Sequence, residues 1–126
     1  MKAFIISVFA AIALTAGSIL YTARLESCSD SLRAITDRID AELSANDYTA
    51  AAHSVSVLSE KLRGAEPFIA AFGNHADIDL IESNLAELEV YAAGGVKQDA
   101  QAKTRVIRTL LQHLPSNTRI KIENIL

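Results

Sequence analysis

Ala3 to Ala23 reads AFIISVFAAIALTAGSILYTA, twenty-one residues without a charge. At about 1.5 Å per residue a helix of this length covers roughly 30 Å, the hydrocarbon thickness of a bilayer. From Arg24 onward the chain is charged, periodic and free of β-strand patterning. The run therefore reads as a membrane helix, residues 1–23, carrying a helical domain, residues 24–126. Two other readings compete for it. Lys2, the apolar run and Thr15-Ala16-Gly17 together resemble a signal peptide, which would leave a secreted domain after cleavage. Against cleavage, apolarity continues through Ser18, Ile19, Leu20, Tyr21, Thr22 and Ala23. Leu25-Glu26-Ser27-Cys28 ends like a lipoprotein signal, but charged Arg24 and Glu26 stand where small neutral residues are needed, and this reading is rejected.

Charge gives an orientation. Lys2 and the α-amino group crowd the N-terminal side, and basic residues beside a span favour the cytoplasm. Arg24, Arg33 and Arg38 on the other side weaken the bias. A two-residue tail before a long domain points to an N-terminus inside and a domain outside the cytoplasm, as a single-pass protein of the cell membrane.

The chain holds 12 basic and 15 acidic residues. Lys2 precedes the run, so the domain carries 11 against 15, a net −4. This argues against nucleic acid, whose binders show a basic patch. Cys28 is the single cysteine, which leaves no intrachain disulfide. Two prolines, five glycines and no tryptophan suit an all-α domain.

Beyond Arg24, apolar residues recur every three to four positions, the mark of one helical face. Leu25, Cys28, Leu32, Ile35, Ile39 and Leu43 form the first stripe. No proline or glycine separates it from the run above, so the membrane helix is expected to continue, through residues 24–45. Asn46-Asp47 signals a turn, with Asp47 as N-cap. The second helix, 48–72, carries Ala51, Val55, Leu58 and Leu62, with a kink or short break expected near Pro67 and an end at Gly73-Asn74. The third, 75–93, buries Ile78, Ile81, Leu85, Leu88 and Ala92. Gly94-Gly95 ends it. The fourth, 96–113, points Ala100, Val106, Ile107, Leu110, Leu111 and Leu114 inward and stops at Pro115. Ile120, Ile122, Ile125 and Leu126 are expected to pack back as a tail, 116–126. The third helix has five carboxylates and no lysine or arginine, and the fourth carries Lys97, Lys103, Arg105 and Arg108 against Asp99. That contrast suits antiparallel pairing. The whole reads as a transmembrane helix continuous with a four-helix bundle of two hairpins. Asn46-Asp47-Tyr48-Thr49-Ala50-Ala51 is similar to the second-helix start of a tetratricopeptide hairpin, but no thirty-four-residue period follows.

His75-Ala76-Asp77-Ile78-Asp79-Leu80-Ile81-Glu82-Ser83-Asn84-Leu85-Ala86-Glu87-Leu88 resembles the central helix of domain-of-unknown-function family 4363, small bacterial membrane-anchored proteins. That pattern is His-x-x-Ile-Asp, then Ile, then a leucine-rich stripe. His113-Leu114-Pro115 and Glu123-Asn124-Ile125-Leu126 are similar to the family's last-helix exit and tail. Asp47-Tyr48 stands where the family often has Asp-Trp. The chain departs in lacking tryptophan and in using Gly94-Gly95 for a turn usually more charged. The resemblance implies one span and a helical domain, and implies no activity.

Residues capable of chemistry are few. His75, Asp79 and Glu82 share a flank of the third helix and could reach a metal, but a zinc site needs one more His or Cys. Acidic residues near a helix start are also favoured by its dipole. His53 and His113 have no identifiable partner, and Cys28 sits on the apolar stripe as a small hydrophobe would. No catalytic constellation or cofactor motif is present, so no enzyme is expected. An interaction or assembly module is the leading reading, motivated by apolar Leu80, Val90 and Tyr91 on the third helix's less buried sides, with lipid around residues 3–23 and a second membrane or envelope protein as partners. An extracytoplasmic small-ligand or metal-binding domain is the alternative.

Overall fold

The computed structural model describes residues 1–71 and 75–125, with side chains as far as Ser116. The described residues form four helices: α1 (Lys2–Ser44), α2 (Tyr48–Ala70), α3 (His75–Ala93) and α4 (Lys97–Ile125). The fold is all-α.

The 43 residues of α1 span about 64 Å at the helical rise. Nothing interrupts the passage from Ala23 to Arg24, because neither side holds a helix breaker. The two halves differ in environment. Residues 2–17 are exposed, whereas from Leu25 onward one face is buried. The exposed half is long and apolar enough to cross a membrane. Its hydroxyls are satisfied within the helix: Ser7 donates to the Ala3 carbonyl at 2.9 Å and Thr15 to the Ala11 carbonyl at 2.9 Å. Such back-bonding lets a polar side chain sit in an apolar run.

Both hairpin turns use the same device. Asn46 (φ 58°) and Gly95 (φ 69°) adopt the left-handed conformation that ends a helix. Asn46 N–H donates to the Leu43 carbonyl and Asp47 N–H to the Glu42 carbonyl. Gly95 N–H donates to Ala92 and Val96 N–H to Tyr91 in the same pattern, a Schellman motif at each turn. Asp47 also caps the following helix, accepting from the Ala50 N–H at 3.1 Å. The turns meet at one end of the bundle. Lys97 Nζ donates to the Ser44 carbonyl and to Asn46 Oδ1, and Gln101 Nε2 donates to Ser44 Oγ at 3.0 Å.

The helices form a closed ring in which α1 packs on α2, α2 on α3, α3 on α4 and α4 on α1. The predicted stripes are its core: Leu25, Leu32, Ile35, Ile39 and Leu43 meet Val55, Leu58, Leu62, Ile78, Ile81, Leu85, Leu88, Ile107, Leu111 and Leu114. Small polar residues share these faces. Ser29, Thr36, Ser54, Asn84 and Thr104 are buried, each with a hydrogen bond, as burial of polar groups demands.

Three expectations are corrected. α4 does not stop at His113; it runs through Pro115 to Ile125. Pro115 has no N–H for the Leu111 carbonyl, but the Ser29 hydroxyl donates to that carbonyl instead. α2 likewise has no short break: the helix continues through Gly64 and Pro67 to Ala70, which leaves the kink as the form the Pro67 expectation takes. The carbonyl deprived of a donor there belongs to Arg63, an exposed residue open to water. Val106, expected inside, is 42% exposed. Ile107, one position on and about 100° round the helix, takes the inward place. Gly73-Asn74 as helix stop lies outside the described residues, as does the packing of Ile120, Ile122, Ile125 and Leu126.

Candidate functional site

A side chain near the end of the apolar run ties that run to the bundle. Tyr21, near the end of the apolar run, donates its hydroxyl to the Phe68 carbonyl at 2.7 Å. Phe68 is in the last turn of α2, and its carbonyl also accepts from the Ala71 N–H at 3.4 Å. The two rings pack with centroids 4.8 Å apart. This contact marks the proximal end of the bundle, opposite the two turns.

The residues singled out for metal binding do not converge with further ligands. His75, Asp79 and Glu82 are exposed along α3. Among the described residues no three His, Cys, Asp or Glu side chains are grouped to hold a metal ion. Glu82 instead lines a cleft of about 240 Å³ between α2 and α3, with Arg63 and Glu89 on its rim and Leu62 and Leu85 at its floor. His53 and His113 are exposed. Cys28 is half-buried against the core, and burial pushes its thiol pKa up, away from the reactive thiolate.

The bundle's large exposed hydrophobics are distributed unevenly. Among the described residues beyond residue 23 they are Leu80 (50% exposed), Val90 (69%), Val96 (42%) and Val106 (42%), all on the α3–α4 hairpin. Leu80, Ser83, Glu87 and Val90 recur at helical spacing along the outer side of α3. Glu87 accepts from Lys103 Nζ of α4 at 2.8 Å, a contact that raises the lysine pKa above its ordinary value. Val106 stands one turn beyond Lys103, so the bridge brings the apolar residues of both helices to one side of the hairpin. The second interhelical bridge, Arg108 to Asp37 at 2.7 Å, joins α4 to α1. The bases of α4 are thus divided between both neighbours, rather than all serving α3.

The profile of the family described as Domain of unknown function (DUF4363) matches residues 19–125. The chain belongs to this family. The matched range covers the whole DUF4363 bundle together with the last turn of the apolar run. No curated protein and no solved structure matches the chain.

Sequence periodicity places Leu80, Val90 and Tyr91 on the less buried sides of α3; Leu80 and Val90 are exposed, whereas Tyr91 packs half-buried against the core, and Val106, placed inside, is exposed. Tyr21 and Ser29 gave no signal as helix-to-helix donors, because each acceptor is a backbone carbonyl 47 or more residues away.

Proposed function

We propose that this is a single-pass membrane protein, anchored through residues 3–23, whose domain lies outside the cytoplasm and serves as an interaction or assembly module. The observation that carries the reading is that, among the described residues beyond residue 23, the large exposed hydrophobics all lie on the α3–α4 hairpin. Apolar residues scattered singly over a surface need no explanation, whereas a grouping on one face of a domain marks a contact surface. Lys2 inside and a two-residue tail support the orientation. The partner is a second membrane or envelope protein that covers Leu80, Val90 and Val106. The reading contains no catalytic step.

Photo-crosslinking in cells tests it. A crosslinking side chain at Val90 or Val106 is expected to trap one defined protein. The same group at Glu60 on α2, also exposed, is expected to trap none. Equal trapping from both sides, or none from either, would refute the module. A cation or small molecule retained at the α2–α3 cleft would favour the ligand-binding alternative.

A further inference from the structure

We infer that the junction of span and bundle holds the phosphate of a glycerophospholipid. The inference rests on the anchor reading above. An open cleft of about 360 Å³ lies between α1 and α2, lined by Arg24, Ser27, Cys28, Ser31 and Phe68. Arg24 is the first charge after the apolar run and Ser31 is two turns further. Along the helix these positions lie about 2 to 12 Å beyond the run. The headgroup layer on each side of a bilayer's hydrocarbon is about 5 to 8 Å thick. The cleft therefore opens where lipid phosphates sit.

Its chemistry fits such a group. Arg24, Ser27, Cys28 and Ser31 share one face of α1, at intervals of three and four residues. Glu26 falls on the opposite side by helical phase and Asp30 about 110° round the helix, and no carboxylate lines the cleft. Arg24 makes no ion pair with a described residue, which leaves its planar fork free for two phosphate oxygens. The Ser27 and Ser31 hydroxyls are donors for a third oxygen or for an ester carbonyl. Cys28 stays neutral through burial and adds no opposing charge. Phe68, packed on Tyr21, forms an apolar wall on the bilayer side for the glycerol and the first methylenes. An ammonium headgroup would find no carboxylate partner in the cleft, so phosphatidylglycerol should be preferred to phosphatidylethanolamine.

Native mass spectrometry of the full chain, released from micelles containing both lipids, tests this. The intact chain is expected to carry phosphatidylglycerol. Arg24→Gln should lower the lipid-bound fraction by about tenfold, the scale of one charge-assisted hydrogen bond. The double variant Ser27→Ala/Ser31→Ala should lower it further than the exposed control Arg105→Gln, which should not lower it at all. Arg24→Gln folded by circular dichroism yet binding as much lipid as wild type would overturn the inference. So would displacement of the lipid by millimolar inorganic phosphate, which would make the cleft a site for the free anion. The same spectra separate the two claims. An intact chain without lipid overturns the phosphate site alone, whereas a chain beginning near Ser18 overturns the anchor as well.

Discussion

The Ser29 hydroxyl replaces a backbone donor that Pro115 cannot supply. With proline at position 115, the Leu111 carbonyl has no helical N–H, and it lies at a buried residue of α4. Ser29→Ala leaves that acceptor unpaired, which costs about 1–3 kcal/mol. Pro115→Ala restores the helical donor, so it should largely rescue Ser29→Ala. A double-mutant cycle in chemical denaturation checks the coupling; additive effects would show that the two residues act separately. Cys28 gives a second expectation at this scale. Its thiol pKa is raised by burial, so the folded protein holds the neutral form at a pH where an exposed cysteine has begun to ionise. Because the folded pKa lies above the unfolded one, the contribution of this group to stability declines once pH passes the unfolded value. At pH 8, Cys28 should react with a thiol reagent more slowly than a cysteine placed at exposed Ser56. Equal rates in a stopped-flow assay would contradict it.

Each helix is specified by its stripe and by its ends. Leu85 is in the core of α3, so Leu85→Ala is expected to cost about 2–5 kcal/mol and to lower the melting temperature markedly. Glu87→Ala, on the outer side, should shift the melt far less, since its bridge to Lys103 is solvent-exposed. Equal shifts would place the wrong face of α3 inward. The glycines separate turn from helix interior. Gly95 has positive φ, and Gly95→Ala should destabilise by about 1 kcal/mol or more. Gly64 lies within α2 with open space where a Cβ would go, and Gly64→Ala should stabilise by about 0.5–1 kcal/mol. Thermal melts of the two variants should move in opposite directions. These elements were legible because apolar spacing of three and four residues is dictated by the helix itself. Asn46-Asp47 and Gly94-Gly95 were legible because left-handed backbone selects those residues. Pro115 misled because its replacement donor is 82 residues away in sequence. Of the candidate surface, Leu80 and Val90 followed from helical phase. Val106 did not, because with Ile107 adjacent only the packed bundle decides which of the two faces in.

At the scale of the whole molecule, one helix serves two environments. The exposed, apolar half of α1 continues without a hinge into the half that carries a quarter of the bundle. Tyr21 then bonds the junction to α2. This continuity fixes the domain's attitude relative to the apolar half of α1. It also places the α3–α4 hairpin face, with Leu80, Val90 and Val106, on the side of the bundle rather than at its end. The proposed function requires this domain to stand outside the cytoplasm on an uncleaved anchor. The most direct measurement places a cysteine at exposed Ser56 in a Cys28→Ser background and treats intact cells with a membrane-impermeant thiol reagent. Intact cells are expected to be labelled, on a membrane-bound chain whose mass retains residues 1–23. Labelling only after lysis would contradict it.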